Sequence, residues 1–136
     1  MKVAIWDTYI KRTNGSVIHI DIVVPEEVKS ELTIYSYGKA YLMSIAETGE
    51  IDADYCQYCH AEEPTAQMVN DINNKGFSII RLEDIPKELP QNPNRRSMIL
   101  HLRAHYKNYR FTDFKSITDT ELLKIISAGR DLQSRP

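Results

Sequence analysis

Two stretches near the start of the chain alternate in the way a half-buried strand does. Residues 3–10 place Val3, Ile5 and Tyr9 on one face and Ala4, Trp6 and Ile10 on the other. Residues 17–24 send Ile18, Ile20, Ile22 and Val24 toward a core, and Val17, His19, Asp21 and Val23 the opposite way. Asn14-Gly15 lies between them, a dipeptide that accepts positive φ at both central turn positions, so the two runs read as a hairpin. As a two-residue loop it pairs Ile10 with His19 and Thr8 with Asp21. Pro25 ends the second strand because it has no N–H for the ladder.

The period then changes. Ile34, Tyr37, Tyr41, Leu42 and Ile45 recur at helical spacing, which predicts a helix over 30–46 capped by Ser30 and closed by Gly49. Residues 47–63 are a polar connector with six acids and no lysine or arginine. Pro64-Thr65 opens a short helix with Met68, Val69 and Ile72 inward, ended at Lys75-Gly76. Residues 77–82 read as a buried strand. The three prolines within 83–94 predict an extended connector. A helix over about 95–109 carries Met98, Leu102 and Tyr106. Another begins at Thr118, where Thr-Asp-Thr-Glu forms a capping box, and Gly129 is expected to end it, with the last seven residues frayed.

These elements define an α+β fold: an N-terminal β-hairpin plus at least one further strand, about 77–82, in a sheet covered by helices, with a C-terminal helical pair. The length of 136 residues suits one domain. Within it, 1–86 form the α+β core, 87–94 a Pro-rich connector and 95–136 a helical extension.

Composition changes this picture little. A net charge of −2 selects no polyanionic partner globally. The opening Met1–Asp7 is too short an apolar stretch for a signal peptide, and Val17–Val24 is broken by His19 and Asp21, so no membrane segment is expected and the cytoplasm is the expected location. Two cysteines in a reducing compartment read as thiols or metal ligands before a disulfide.

Both cysteines fall in Cys56-Gln57-Tyr58-Cys59-His60. Two thiolates two residues apart can share a tetrahedral ion, and His60 adds a nitrogen, so zinc at Cys56, Cys59 and His60 is the cofactor reading, beside the plainer one that both cysteines are packed or idle thiols. The fourth ligand would be His19 or Glu62, with Asp54, Glu63 or the His101/His105 pair as alternatives. A redox pair is opposed by the acidic connector. Haem attachment to Cys-x-x-Cys-His normally follows export. His19 and Asp21 share one strand face, as a base and its orienting carboxylate would; a solvated hairpin face reads the same way. No catalytic residue can be assigned. Segment 89–112 has no acid and carries Arg95, Arg96, Arg103, Lys107 and Arg110 among aromatics, a pattern that can meet phosphates and stack bases, or simply lie solvated against acidic surface.

Several motifs taken together resemble a known family. They are Lys-Val-Ala-Ile-Trp-Asp-Thr-Tyr at the start, His19-x-Asp21-Ile-Val-Val-Pro25, Tyr-x-Tyr-Gly at 35–38, the Cys-x-x-Cys-His and Gly-Phe-Ser-Ile-Ile-Arg-Leu. Over residues 1–84 the chain is similar to a small bacterial family, domain of unknown function DUF2024. The resemblance implies a compact α+β domain built on a β-hairpin, leaves the C-terminal part uncovered and implies no activity. Three functions follow as expectations: a non-catalytic binding or structural protein, with zinc at the Cys-x-x-Cys-His or with no cofactor, a small metal- or thiol-dependent enzyme, and a nucleic-acid-associated module using the basic helix. Self-association is left open.

Overall fold

A computed structural model describes residues 1–51 and 57–134 of the chain. Cys56 therefore lies outside the described residues, as does Asp54. Packing divides the chain into two compact units, Met1–Asp84 and Ile85–Pro136.

The first unit is organised on the hairpin of β1 (Val3–Lys11) and β2 (Val17–Pro25). These two strands are the middle of a five-stranded sheet ordered β3-β1-β2-β5, with β4 also pairing β1. The register differs from expectation by one residue: Tyr9 faces His19, Asp7 faces Asp21 and Ile10 faces Ile18. The turn explains this. Gly15 N–H donates to the Arg12 carbonyl at 3.0 Å, Arg12 N–H donates to Ser16 O at 2.9 Å, and Gly15 sits at φ 88°. The loop is thus three residues, Thr13-Asn14-Gly15, with glycine in the left-handed position. The two-residue loop would have opposed inward Ile10 to outward His19, mixing the two faces of the sheet.

Both faces are covered, so the expectation of a solvated outer face fails. On one, Ile18, Ile20, Ile22 and Val24 of β2 pack with Ala4, Trp6 and Ile10 of β1 against Ile34 and Leu42 of helix α1 (Glu31–Ser44). Ser30 caps α1 as expected, its Oγ accepting from Thr33 N–H. Gly38 on α1 lies where a Cβ would come within 2.3 Å of Ile51 Cδ1, so a bare α-carbon lets the helix settle on the sheet. On the other face, Val3, Ile5 and Val23 pack against Met68 and Ile72 of α2 (Ala66–Lys75), capped by Thr65 and ended by Gly76 at φ 93°. That helix covers only the end of the sheet nearest Val3, and Asp7, Tyr9, His19 and Asp21 occupy the rest of the face.

Three boundaries in the first unit were misread. Gly49 does not close α1; the helix stops at Ser44 and turns through Ala46 at φ 55°. Gly49 instead passes against β1, where a Cβ would meet the Lys11 carbonyl oxygen at 2.5 Å. The polar connector contains two strands, β3 (Glu50–Ile51) and β4 (Gln57–Glu62), both antiparallel to β1. Strand β5 (Ser78–Ile85) runs on through Glu83, which was expected in the Pro-rich connector.

The second unit pairs α3 (Arg95–His105) with α4 (Asp119–Ser134) around Met98, Leu102, Phe114, Leu122 and Ile126. A separate 3-10 turn, Lys107–Tyr109, follows α3. The capping box at α4 forms as expected: Thr118 Oγ1 accepts from Glu121 N–H, and Glu121 Oε1 accepts from Thr118 N–H. Gly129 does not end α4; it gives Tyr106 room, since a Cβ there would lie 2.3 Å from Tyr106 Cε1. Gly129→Ala is therefore expected to lower stability by about 1–3 kcal/mol, because the strain of overpacking outweighs the helix propensity gained. Chemical denaturation measures it, and a stabilised variant would show that Tyr106 moves aside at no cost.

Among the described residues, no helix is long and apolar enough to cross a membrane.

Candidate metal centre

The half of the α2-side face that lies beyond α2 carries a histidine held between carboxylates. In the hairpin register Asp7 and Asp21 are directly opposed, and so are Tyr9 and His19, which brings all four onto one patch of one face. Tyr9 is 1% exposed and stacks flat on His19, with ring centroids 4.4 Å apart. This fixes the plane of the imidazole. Glu83 arrives from β5, and its Oε2 lies 2.6 Å from His19 Nδ1. Asp7 Oδ1 contacts His19 Nε2. Each ring nitrogen thus has its own carboxylate partner, and an imidazole protonated at both nitrogens donates to both. Burial pulls the His19 pKa down, but the hydrogen bonds and charges of Asp7 and Glu83 outweigh it and hold the pKa above its ordinary value. Asp21 is pushed up to about 6, first by burial and then by the charge of Asp7 across the strand pair.

One ligand atom each from Asp7, His19 and Asp21 lie within 4.8 Å of one another. Among the described residues this is the group of histidine, cysteine and carboxylate side chains compact enough to hold a metal ion. A ring nitrogen and two carboxylates suit a borderline divalent ion such as zinc. Glu83 on the far ring nitrogen stands where an outer carboxylate would orient a metal-ligating imidazole and raise its basicity.

Of the residues singled out from sequence, Cys59 and His60 lie beside this group. Strand β4 pairs Tyr58 with Trp6 and His60 with Ile5, with a bulge between the two pairs that leaves Cys59 as the extra residue. Tyr58 meets Trp6 edge to face at 5.8 Å. Cys59 is exposed and unbridged. Burial, Asp7 and Asp21 together raise its thiol pKa, which disfavours the thiolate that a thiol-dependent reaction would need. His60 Nε2 lies 3.0 Å from Glu62 Oε2, both half-exposed, and the ring also acts on the charge of Asp21. Neither Cys59 nor His60 is in the compact group, whereas His19 is. Asp7 and Glu83 were missed. Asp7 was visible only through the correct register, and Glu83 only through the extension of β5.

The alternative basic site is largely committed to its own unit. Arg110 is 2% exposed and donates to the Arg103 and Ala104 carbonyls at 2.6 and 2.7 Å, satisfying the last turn of α3. Arg95 donates to Asp119 at 2.8 Å and to the Phe114 carbonyl at 2.6 Å. Arg103 donates to the Thr112 carbonyl and lies over the Phe114 ring at 5.4 Å. Arg96 and Lys107 are exposed. His101 is buried with its ring 4.8 Å from that of His105, whose Nε2 meets the Pro86 carbonyl at 2.8 Å.

Fold and site together define a small α+β domain, a hairpin-centred sheet with a histidine–carboxylate cluster on one face. The chain belongs to the family domain of unknown function DUF2024, whose model matches residues 1–82. No curated protein matches the sequence. Its fold is similar to that of the NMR structure of protein NE1680 from Nitrosomonas europaea, at 27% identity and a TM-score of 0.54, over 61% of this chain and 96% of that one.

Proposed function

We propose that this protein is a non-catalytic module that binds one divalent cation, with zinc the expected ion, through Asp7, His19 and Asp21. The observation that carries the reading is the convergence of their three ligand atoms to within 4.8 Å, on a half-buried patch of sheet beyond the reach of α2. The ion takes the place of the proton on His19 Nε2, relieves the repulsion between Asp7 and Asp21, and leaves the Glu83 hydrogen bond on Nδ1 intact. Three ligands from two adjacent strands leave an outward position for water.

The sequence offered a different centre, Cys56, Cys59 and His60 with His19 or Glu62 as fourth ligand. The two readings separate in one calorimetric experiment with zinc chloride. The wild type is expected to bind about one equivalent, as a single site does. Asp7→Asn is expected to weaken binding at least tenfold, while the double variant Cys59→Ser, His60→Ala keeps it. Loss of binding in the double variant with retention in Asp7→Asn would move the centre to the cysteine strand. A wild type that takes up no zinc would leave His19, Asp7 and Glu83 as a half-buried ionic triad that serves only to fix strand register.

A further inference from the structure

A cavity of about 240 Å³ lies on the α1 side of the sheet, where the chain leaves β2 for the helix. Its floor is Ala4 and Trp6 of β1, 2% and 6% exposed. Val28 and the Tyr58 ring of β4 make the walls, and Glu26 and Lys29 the rim. Two backbone hydrogen bonds hold the connector there. Glu26 N–H donates to the Lys2 carbonyl at 3.0 Å, and Val28 N–H donates to the Pro25 carbonyl at 2.9 Å. They tie the acid and the base of the rim to the end of the hairpin.

Three groups of this lining have nothing to pair with. The buried Trp6 Nε1–H has no hydrogen-bond partner. Leaving such a donor unsatisfied costs about 1–3 kcal/mol, so a fold that keeps one calls for an explanation. Glu26 and Lys29 are exposed, and among the described residues neither side chain makes a hydrogen bond or an ion pair. The space is smaller than the about 300–1,000 Å³ of drug-sized sites, so its ligand is small. A carboxylate accepts from an indole N–H and pairs with an ammonium, and an ammonium pairs with a carboxylate. A molecule with both charges on one carbon and an apolar body beside them matches the whole lining. We propose that this cavity binds a small aliphatic α-amino acid, its carboxylate between Trp6 Nε1 and Lys29, its ammonium on Glu26, and its side chain against Ala4, Val28 and Tyr58. Tyr58 is half exposed and meets Trp6 edge to face at 5.8 Å, so its ring can turn aside to admit the ligand. The cavity lies on the face of the sheet opposite the proposed metal centre and does not depend on it.

Trp6 is the sole tryptophan, so the cavity carries its own probe. The test is a titration of the full-length protein with L-leucine, run without added metal and followed by tryptophan fluorescence and by the indole N–H resonance in NMR. Both signals are expected to change and saturate together. Three analogues each lack one part of the recognised chemistry: 4-methylpentanoate the ammonium, 3-methylbutylamine the carboxylate, and glycine the apolar body. Each is expected to bind more weakly. Glu26→Gln with Lys29→Gln should weaken L-leucine about tenfold through loss of two charge-assisted contacts. Both positions are exposed, so the double variant is expected to fold. The proposal is overturned if millimolar L-leucine leaves the fluorescence and the indole N–H unmoved. It is equally overturned if 4-methylpentanoate or 3-methylbutylamine binds as well as L-leucine, or if the double glutamine variant, folded by its own amide spectrum, binds as the wild type does.

Discussion

His19→Ala is expected to reduce zinc binding below calorimetric detection, whereas Glu83→Gln is expected to weaken it by about ten- to a hundredfold with the stoichiometry unchanged. The two residues touch, yet their roles differ. His19 would supply the ligand nitrogen, so truncating it removes the donor that joins the two aspartates around one point. Glu83 holds the other ring nitrogen at 2.6 Å and would never reach the ion. Its loss costs orientation and basicity of the imidazole, and outer carboxylates of this kind are typically worth ten- to a hundredfold in affinity. Glutamine can still accept from Nδ1–H, so the ring stays in place against Tyr9. Titration of both variants with zinc chloride checks the split. Equal losses in both would mean that Glu83 itself is a ligand, and no loss in His19→Ala would remove the centre from this face.

How far this site could be read from the chain depends on which residues share a strand. His19 and Asp21 are two apart, so their common face follows from alternation alone. Asp7 joins them only through the pairing register, and that turned on one residue of loop length: Asn14-Gly15 suggested two residues where Thr13 belongs to the loop as well. Glu83 required knowing that β5 continues past Leu82 and lies next to β2. The prolines at 86, 90 and 93 instead suggested an early exit. The signal for strand β4 was weaker still. Gln-Tyr-Cys-His-Ala-Glu has almost no apolar alternation, its residues 58–62 are exposed, and the bulge at Cys59 breaks the period that remained. The helices were read more faithfully, since Ser30, Thr65 and Thr118 each cap in the way their side-chain chemistry predicts. Glycine misled twice, at Gly49 and Gly129. In both cases close approach of a neighbour, and not a helix end, accounts for the missing side chain.

Ile34→Ala is expected to cost the first unit about 3 kcal/mol, and saturating zinc is expected to return most of that loss. Ile34 is 0% exposed in α1, packed on the face of the sheet opposite the metal centre. Truncating a buried isoleucine removes transfer free energy and leaves a cavity that the rigid sheet cannot fully close. An ion that binds only the folded state adds stability set by its concentration relative to Kd, about 2.7 kcal/mol at a hundredfold excess over Kd. Because the sheet separates the two sites and they share no partner, the two effects should add. Wild type and Ile34→Ala should therefore gain the same increment from zinc, and His19→Ala should gain none. Trp6 is the only tryptophan and is buried in β1, so its fluorescence during urea unfolding follows this unit and not the helical pair. A zinc increment that persists in His19→Ala would show that the ion stabilises the fold from somewhere else. An increment missing from the wild type would leave the histidine–carboxylate cluster with a purely structural role.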